Sequence, residues 1–103
     1  MTCIKVAKFG GSSMADSTAM KRSAQIIKNH HTQLTLVSAT FGTTNQLEEI
    51  MSLSCQSASI KAAQLSINKL REKHVSICEN LEGDKALHDK IESLISELKT
   101  LSK

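Results

Sequence analysis

Lys8-Phe9-Gly10-Gly11-Ser12-Ser13 joins an apolar run carrying Ile4, Val6 and Ala7 to a helix-like run from Ala15 to Lys28, with neither a proline nor a long loop between them. The stretch reads as a strand-to-helix turn. Adjacent glycines allow φ angles and close approaches that a Cβ forbids, and the hydroxyls follow where a helix N-terminus exposes unpaired N–H groups. Backbone donors and the positive end of a helix dipole make such a turn an anion cradle, and Lys8, at the end of the strand, can add a full positive charge. The same residues also suit an ordinary tight turn with a helix cap. Neither standard nucleotide fingerprint is present: the Walker pattern places its Lys after the last Gly, the dinucleotide pattern needs G-x-G-x-x-G, and here the Lys precedes both glycines.

On either side of the turn, Ile4 to Phe9 is short and rich in strand formers, as in a strand buried in a parallel sheet. Asp16 or Ser17 can cap a helix running to about Asn29, which places Ala19, Met20, Ala24 and Ile27 on a face that covers the sheet and leaves Lys21, Arg22 and Lys28 in water. His30 and His31 follow its last turn, where a protonated imidazole interacts well with the helix C-terminus, and their adjacency argues against a shared metal ion. Leu34-Thr35-Leu36-Val37-Ser38 is the second strand, which a right-handed crossover sets parallel to the first. The ends of both strands then share one edge, where open α/β sheets bind ligands, and the hydroxyl-rich segment from Ser38 to Asn45 faces the same crevice. Asn45 with Glu48 also fits a capping box.

The second half reads as helical. A short helix carries Leu47, Ile50 and Met51, with its end and a connection over Ser52 to Ser59. Ile60, Ala63, Ile67, Leu70, His74 and Ile77 then recur at three and four residues, as do Leu87, Ile91, Leu94, Leu98 and Leu101 beyond Gly83, so two helices joined at Gly83 form an antiparallel hairpin. His74 on the apolar seam is read as a core histidine satisfied by one hydrogen bond. The fold class is α/β: a parallel βαβ unit over 1–45 followed by a helical segment over 46–103.

Composition bounds the function. A chain of 103 residues supports one modest core, with zero prolines and two aromatics, Phe9 and Phe41. A net charge of +3, dispersed and without aromatic platforms, argues against nucleic acid and leaves phosphorylated small molecules open. Cys3, Cys55 and Cys78 have no C-x-x-C spacing and suggest reduced thiols, with no metal site expected. The first residues, Met1 to Lys5, are too short an apolar run for a signal peptide, and no run reaches the roughly 20 apolar residues of a membrane span. A soluble, cytoplasmic protein without membrane association is the expectation.

Val6-Ala7-Lys8-Phe9-Gly10-Gly11-Ser12-Ser13-Met14-Ala15 and Val37-Ser38-Ala39-Thr40-Phe41-Gly42-Thr43-Thr44-Asn45 together resemble the amino-terminal part of the aspartate kinases, a branch of the amino acid kinases. Other amino acid kinases share the Lys-x-Gly-Gly start; the Val-Ser-Ala-x-x-Gly-x-Thr-Asn loop about 30 residues later is similar to the aspartate kinase branch. The resemblance implies an amino acid kinase fold, with 1–103 forming the amino-terminal part of its catalytic domain. It further implies ATP-dependent phosphorylation of the L-aspartate side chain to 4-phospho-L-aspartate, the first step towards lysine, threonine and methionine, with Mg²⁺ bridging phosphate oxygens. Lys8 then contacts the phosphates and stabilises the transferring group, Gly10 and Gly11 supply amide donors, Ser12 and Ser13 lie beside them, and Ser38 and Thr44 help orient ATP phosphate and aspartate. The family's Ser-x-Gly-Glu segment, its Gly-Gly-Ser-Asp motif with the catalytic aspartate, its nucleotide-binding region and its regulatory domains have no counterpart here. The chain is therefore expected to be a fragment holding half of an active site and inactive alone. Self-association into a homo-oligomer is expected, and a non-catalytic helical interaction segment is the alternative function.

Overall fold

The computed structural model describes residues 3–56 and 59–101. Its elements run β1 (Val6–Phe9), α1 (Ser17–His30), β2 (Leu34–Val37), α2 (Thr43–Ser54), α3 (Ile60–Asn80) and α4 (Lys85–Leu101), with a 3₁₀ turn over Gly11–Met14 between β1 and α1. Part of the connection read over Ser52 to Ser59, at Ser57 and Ala58, lies outside the described residues. The chain divides into two compact bodies, Met1–Gly42 and Thr43–Lys103.

In the first body β1 and β2 pair in parallel, Val6 opposite Leu34 through Phe9 opposite Val37, as a short crossover through one helix requires. The ladder opens with Gln33 and Leu34 amides donating to the Lys5 carbonyl and closes with the Ser38 amide donating to the Phe9 carbonyl at 3.0 Å. Partners in register share a face, so Ala7, Phe9, Thr35 and Val37 lie on one side and Val6, Lys8, Leu34 and Leu36 on the other. The first side is the better covered: Phe9 is buried and Ala7 and Thr35 are half-buried, although Val37 at its end is 66% exposed. Val6, Leu34 and Leu36 on the other side are more than half exposed, so the expected burial of the first strand is corrected: a sheet of two strands has little to cover both of its faces.

Helix α1 starts where Asp16 Oδ1 accepts the Ala19 amide at 2.8 Å, which decides the cap in favour of Asp16. Its inner face also differs from the apolar reading: Ala19 and Ser23 are buried and Ala24 is exposed. Ser23 satisfies its hydroxyl by donating to the Ser13 carbonyl at 3.0 Å, a bond that ties the 3₁₀ turn to α1. The helix ends in a Schellman arrangement, with Thr32 N–H on the Ile27 carbonyl, His31 N–H on the Lys28 carbonyl, and His31 left-handed at φ 51.

The second body is three antiparallel neighbours. Thr43 accepts from Lys73 Nζ and the Gln46 side chain donates to the Ser66 carbonyl, which runs α2 against α3; Arg71 pairs with Glu92, which runs α4 back along α3. Ile50, Ile67, Leu70 and Ile95 form the core, with Ile91 and Leu98 against it. His74 donates from Nδ1 to the Leu70 carbonyl at 2.8 Å, a structural bond of the kind expected of a seam histidine. At the hairpin tip the left-handed residue is Glu82, φ 56, and not Gly83. Gly83 is required for space: a Cβ there would sit 2.5 Å from Cys78 Sγ and 3.1 Å from the Cys78 carbonyl. Among the described residues no helix is long and apolar enough to cross a membrane.

Candidate active site

The bond from Ser38 N–H to the Phe9 carbonyl sets the last residues of both strands side by side, so Lys8, Gly10 and Ser38 gather at one end of the two-stranded sheet. The two motifs also meet directly. A Cβ on Gly11 would lie 3.7 Å from Phe41 Cα and 3.8 Å from the Ala39 carbonyl oxygen, so the glycine turn and the loop after β2 are in van der Waals range. Lys8, Gly10, Ser12 and Ser38 are exposed, while Gly11 and Ser13 are half-buried.

Of the two things adjacent glycines allow, special φ angles and close approach, Gly10 uses only the second. Gly10 has φ −78 and ψ −177, extended backbone open to any residue, and among the described glycines only Gly42, at φ 80, is left-handed. A Cβ on Gly10 would meet no atom within 4 Å. Nothing in the chain's own packing calls for glycine at position 10, and what the missing side chain provides is an unobstructed approach to the backbone at the strand's end.

The helix reading of the cradle is corrected as well. The residues after the glycines wind into the 3₁₀ turn, in which the Ser13 amide donates to the Gly10 carbonyl at 3.1 Å. The N-terminus of α1 comes later and is already met by the Asp16 carboxylate, so the α1 dipole does not face the glycines unopposed. What the sheet end offers an anion is the Lys8 charge and the first amides of the turn. Ser13 is held by its carbonyl through Ser23, a buttress the sequence reading missed; the signal was a serine four residues after Ala19 on the inner face of α1.

Thr44 lies in the second body, on the first turn of α2. The helix starts at Thr43, so Asn45 is inside it and the expected Asn45–Glu48 capping box does not form its entrance. The physical reason is Gly42: its left-handed backbone turns the chain early enough for Thr43 to enter the helix buried. The three cysteines are free, with Cys78 buried and Cys3 and Cys55 exposed. Among the described residues no group of His, Cys, Asp and Glu could hold a metal ion.

A Lys-x-Gly-Gly turn and a serine thus share one end of two parallel strands. The family model for the amino acid kinase family matches residues 4–100, and the chain belongs to that family. Within it, the chain is similar to aspartokinases. That of Chlamydia trachomatis is 37% identical over 76 residues, covering 74% of this chain and 16% of that protein, and that of Chlamydia muridarum is 35% identical over 82 residues, covering 80% and 18%. Among solved structures, Escherichia coli aspartokinase III in complex with aspartate and ADP, in its R-state, superposes with a TM-score of 0.83 at 30% identity over 97% of this chain and 22% of that one. The aspartate kinase of Clostridium acetobutylicum, at 24% identity and a TM-score of 0.68, shares the fold. The chain thus spans less than a fifth of the length of the curated aspartokinases it matches, and its α/β fold is the amino-terminal portion of the amino acid kinase fold.

Proposed function

We propose that residues 1–103 are the amino-terminal part of an aspartokinase catalytic domain and that the sheet end holds ATP phosphates during transfer to L-aspartate. In that reaction an oxygen of the side-chain carboxylate bonds to the γ-phosphorus, the bond to the bridging oxygen breaks, and ADP leaves with 4-phospho-L-aspartate as product. The observation that carries the reading is the convergence of Lys8, Gly10 and Ser38 where β1 and β2 end, with the backbone at Gly10 unobstructed. Phosphoryl transfer asks little of a protein beyond positioning and charge, and this edge offers both. Lys8 neutralises charge as it spreads over the transferring oxygens, the Gly10 and Gly11 amides orient them, and Ser12, Ser13 and Ser38 add hydroxyl contacts. Thr44 carries its assignment from the family resemblance alone. Mg²⁺ is carried over from the family resemblance alone, and no step is assigned through it.

The test is a chimera in which this chain replaces the matching segment of Escherichia coli aspartokinase III. Lys8→Ala should lower kcat about a hundredfold, on the order of 3 kcal/mol, with little change in the KM for aspartate, because the charge is used chiefly in the transition state. A kcat within about threefold of the parent would reduce Lys8 to a strand-end surface residue. The alternative, a non-catalytic interaction segment, draws support from the exposed leucines of α4. Mg-ATP titration of the isolated chain separates the two: saturable binding lost in Lys8→Ala supports the first, and association without nucleotide binding supports the second.

A further inference from the structure

Helix α4 carries two apolar lines, and only one is used by its own body. Ile91, Ile95 and Leu98 pack into the core. Leu87, Leu94 and Leu101 recur every seven residues and form a second line along the helix, yet they remain 46%, 52% and 84% exposed. That second line borders a trough between α2 and α4. One hollow of about 200 Å³ opens at Thr43, His74 and Leu94, and another of about 390 Å³ at Leu47, Met51, Leu98 and Leu101. A trough of this shape accepts an amphipathic helix.

The charges beside the leucines point to which helix. Lys90 and Glu97 flank the line on its outer side, and neither meets an opposite charge three or four residues away on α4. Antiparallel pairing of two copies of α4 about Leu94 sets Leu87 against the partner's Leu101 and brings Lys90 beside the partner's Glu97, once on each side of the two-fold axis. Parallel pairing would set Lys90 against the partner's Ile95 and give it no counter-charge. The geometry points to a homodimer contact of this chain in which α4 lies antiparallel to the partner's α4, in the trough between α2 and α4, centred on Leu94. The contact is isologous, so each Lys90–Glu97 match occurs twice. A helix of 17 residues, roughly 25 Å long, buries less than the standard interface of about 1,600 Å², which places the dimer in the weak, roughly micromolar class.

Sedimentation equilibrium of the 103-residue chain from about 1 to 200 µM tests this, with circular dichroism confirming that each variant stays folded. The wild type should pass from monomer to dimer across that range. Leu94→Glu should remain monomeric, with association weakened at least about tenfold, and Glu97→Lys or Lys90→Glu should each weaken association by a similar factor because two like-charge pairs replace two matches. The double variant Lys90→Glu/Glu97→Lys should return to within about threefold of wild type. A wild type that is monomeric throughout, association that Leu94→Glu leaves untouched, or a double variant no tighter than the singles would each overturn the proposal.

Discussion

The two bodies of the chain divide packing and chemistry between them. The helical body buries Ile50 and Ile67 completely and closes its hairpin with a sulfur-to-glycine contact, but of the candidate site residues it holds only Thr44. The sheet body gathers Lys8, Gly10, Gly11, Ser12, Ser13 and Ser38 while leaving Val6, Leu34, Leu36 and Val37 more than half exposed. The strand end proposed to hold phosphate has to stay open at its backbone, and a sheet of two strands has little core to lend it. Rigid packing and accessible donors are competing demands, and this chain meets them in different segments.

The strongest way to break that comparison is Gly10→Val in the same aspartokinase chimera. Because the new side chain would meet no protein atom, the fold should survive while turnover falls by a thousandfold or more, on the order of 4 kcal/mol. Near-normal kcat in a folded variant would show that nothing approaches that backbone. Gly11→Val is a poorer probe, since its branches would press on Phe41 and Ala39 and mix folding with function.

The packing side is tested by Ile67→Ala against Val37→Ala. Ile67 is fully enclosed, so its truncation should cost about 2–5 kcal/mol in urea unfolding of the isolated chain, whereas Val37, 66% exposed, should cost no more than about 0.5 kcal/mol. Equal costs would contradict the division of labour. A smaller effect belongs to the hairpin tip. Gly83→Ala should destabilise by about 1–3 kcal/mol because its Cβ meets Cys78 Sγ; adding Cys78→Ala should recover part of that loss, and thermal melts of the single and double variants would show whether it does.

Much of this architecture was legible in the sequence because it is set by local rules. The short runs of strand formers at Ile4 to Phe9 and Leu34 to Ser38 marked two strands, a crossover with one helix set their parallel pairing, and the three-and-four repeats broken at Gly83 marked the hairpin. The role of His74 followed from its place on the seam. Family membership rested on the two motifs, which the matched region from 4 to 100 contains.

What the sequence by itself determined, then, was which element each segment forms and which chemistry clusters at the strand ends, since periodicity and residue type act through neighbours in the chain. Only the tertiary structure decided where elements stop and which faces stay open. Of the two caps left open, Asp16 and Ser17, it was Asp16 that took the Ala19 amide; Gly42 turned the chain early and drew Thr43 and Asn45 into α2; Ser23 replaced Ala24 inside because a carbonyl, that of Ser13, waited there. On α4, Leu94 of the three-and-four repeat stays out while Ile95, which that repeat did not include, turns inward beside Ile91. The reason is that hydrogen-bond partners and covered surface are shared out among alternatives that residue type and periodicity leave equal: between neighbouring residues at Asp16 and Gly42, and between packed elements at Ser23 and Leu94.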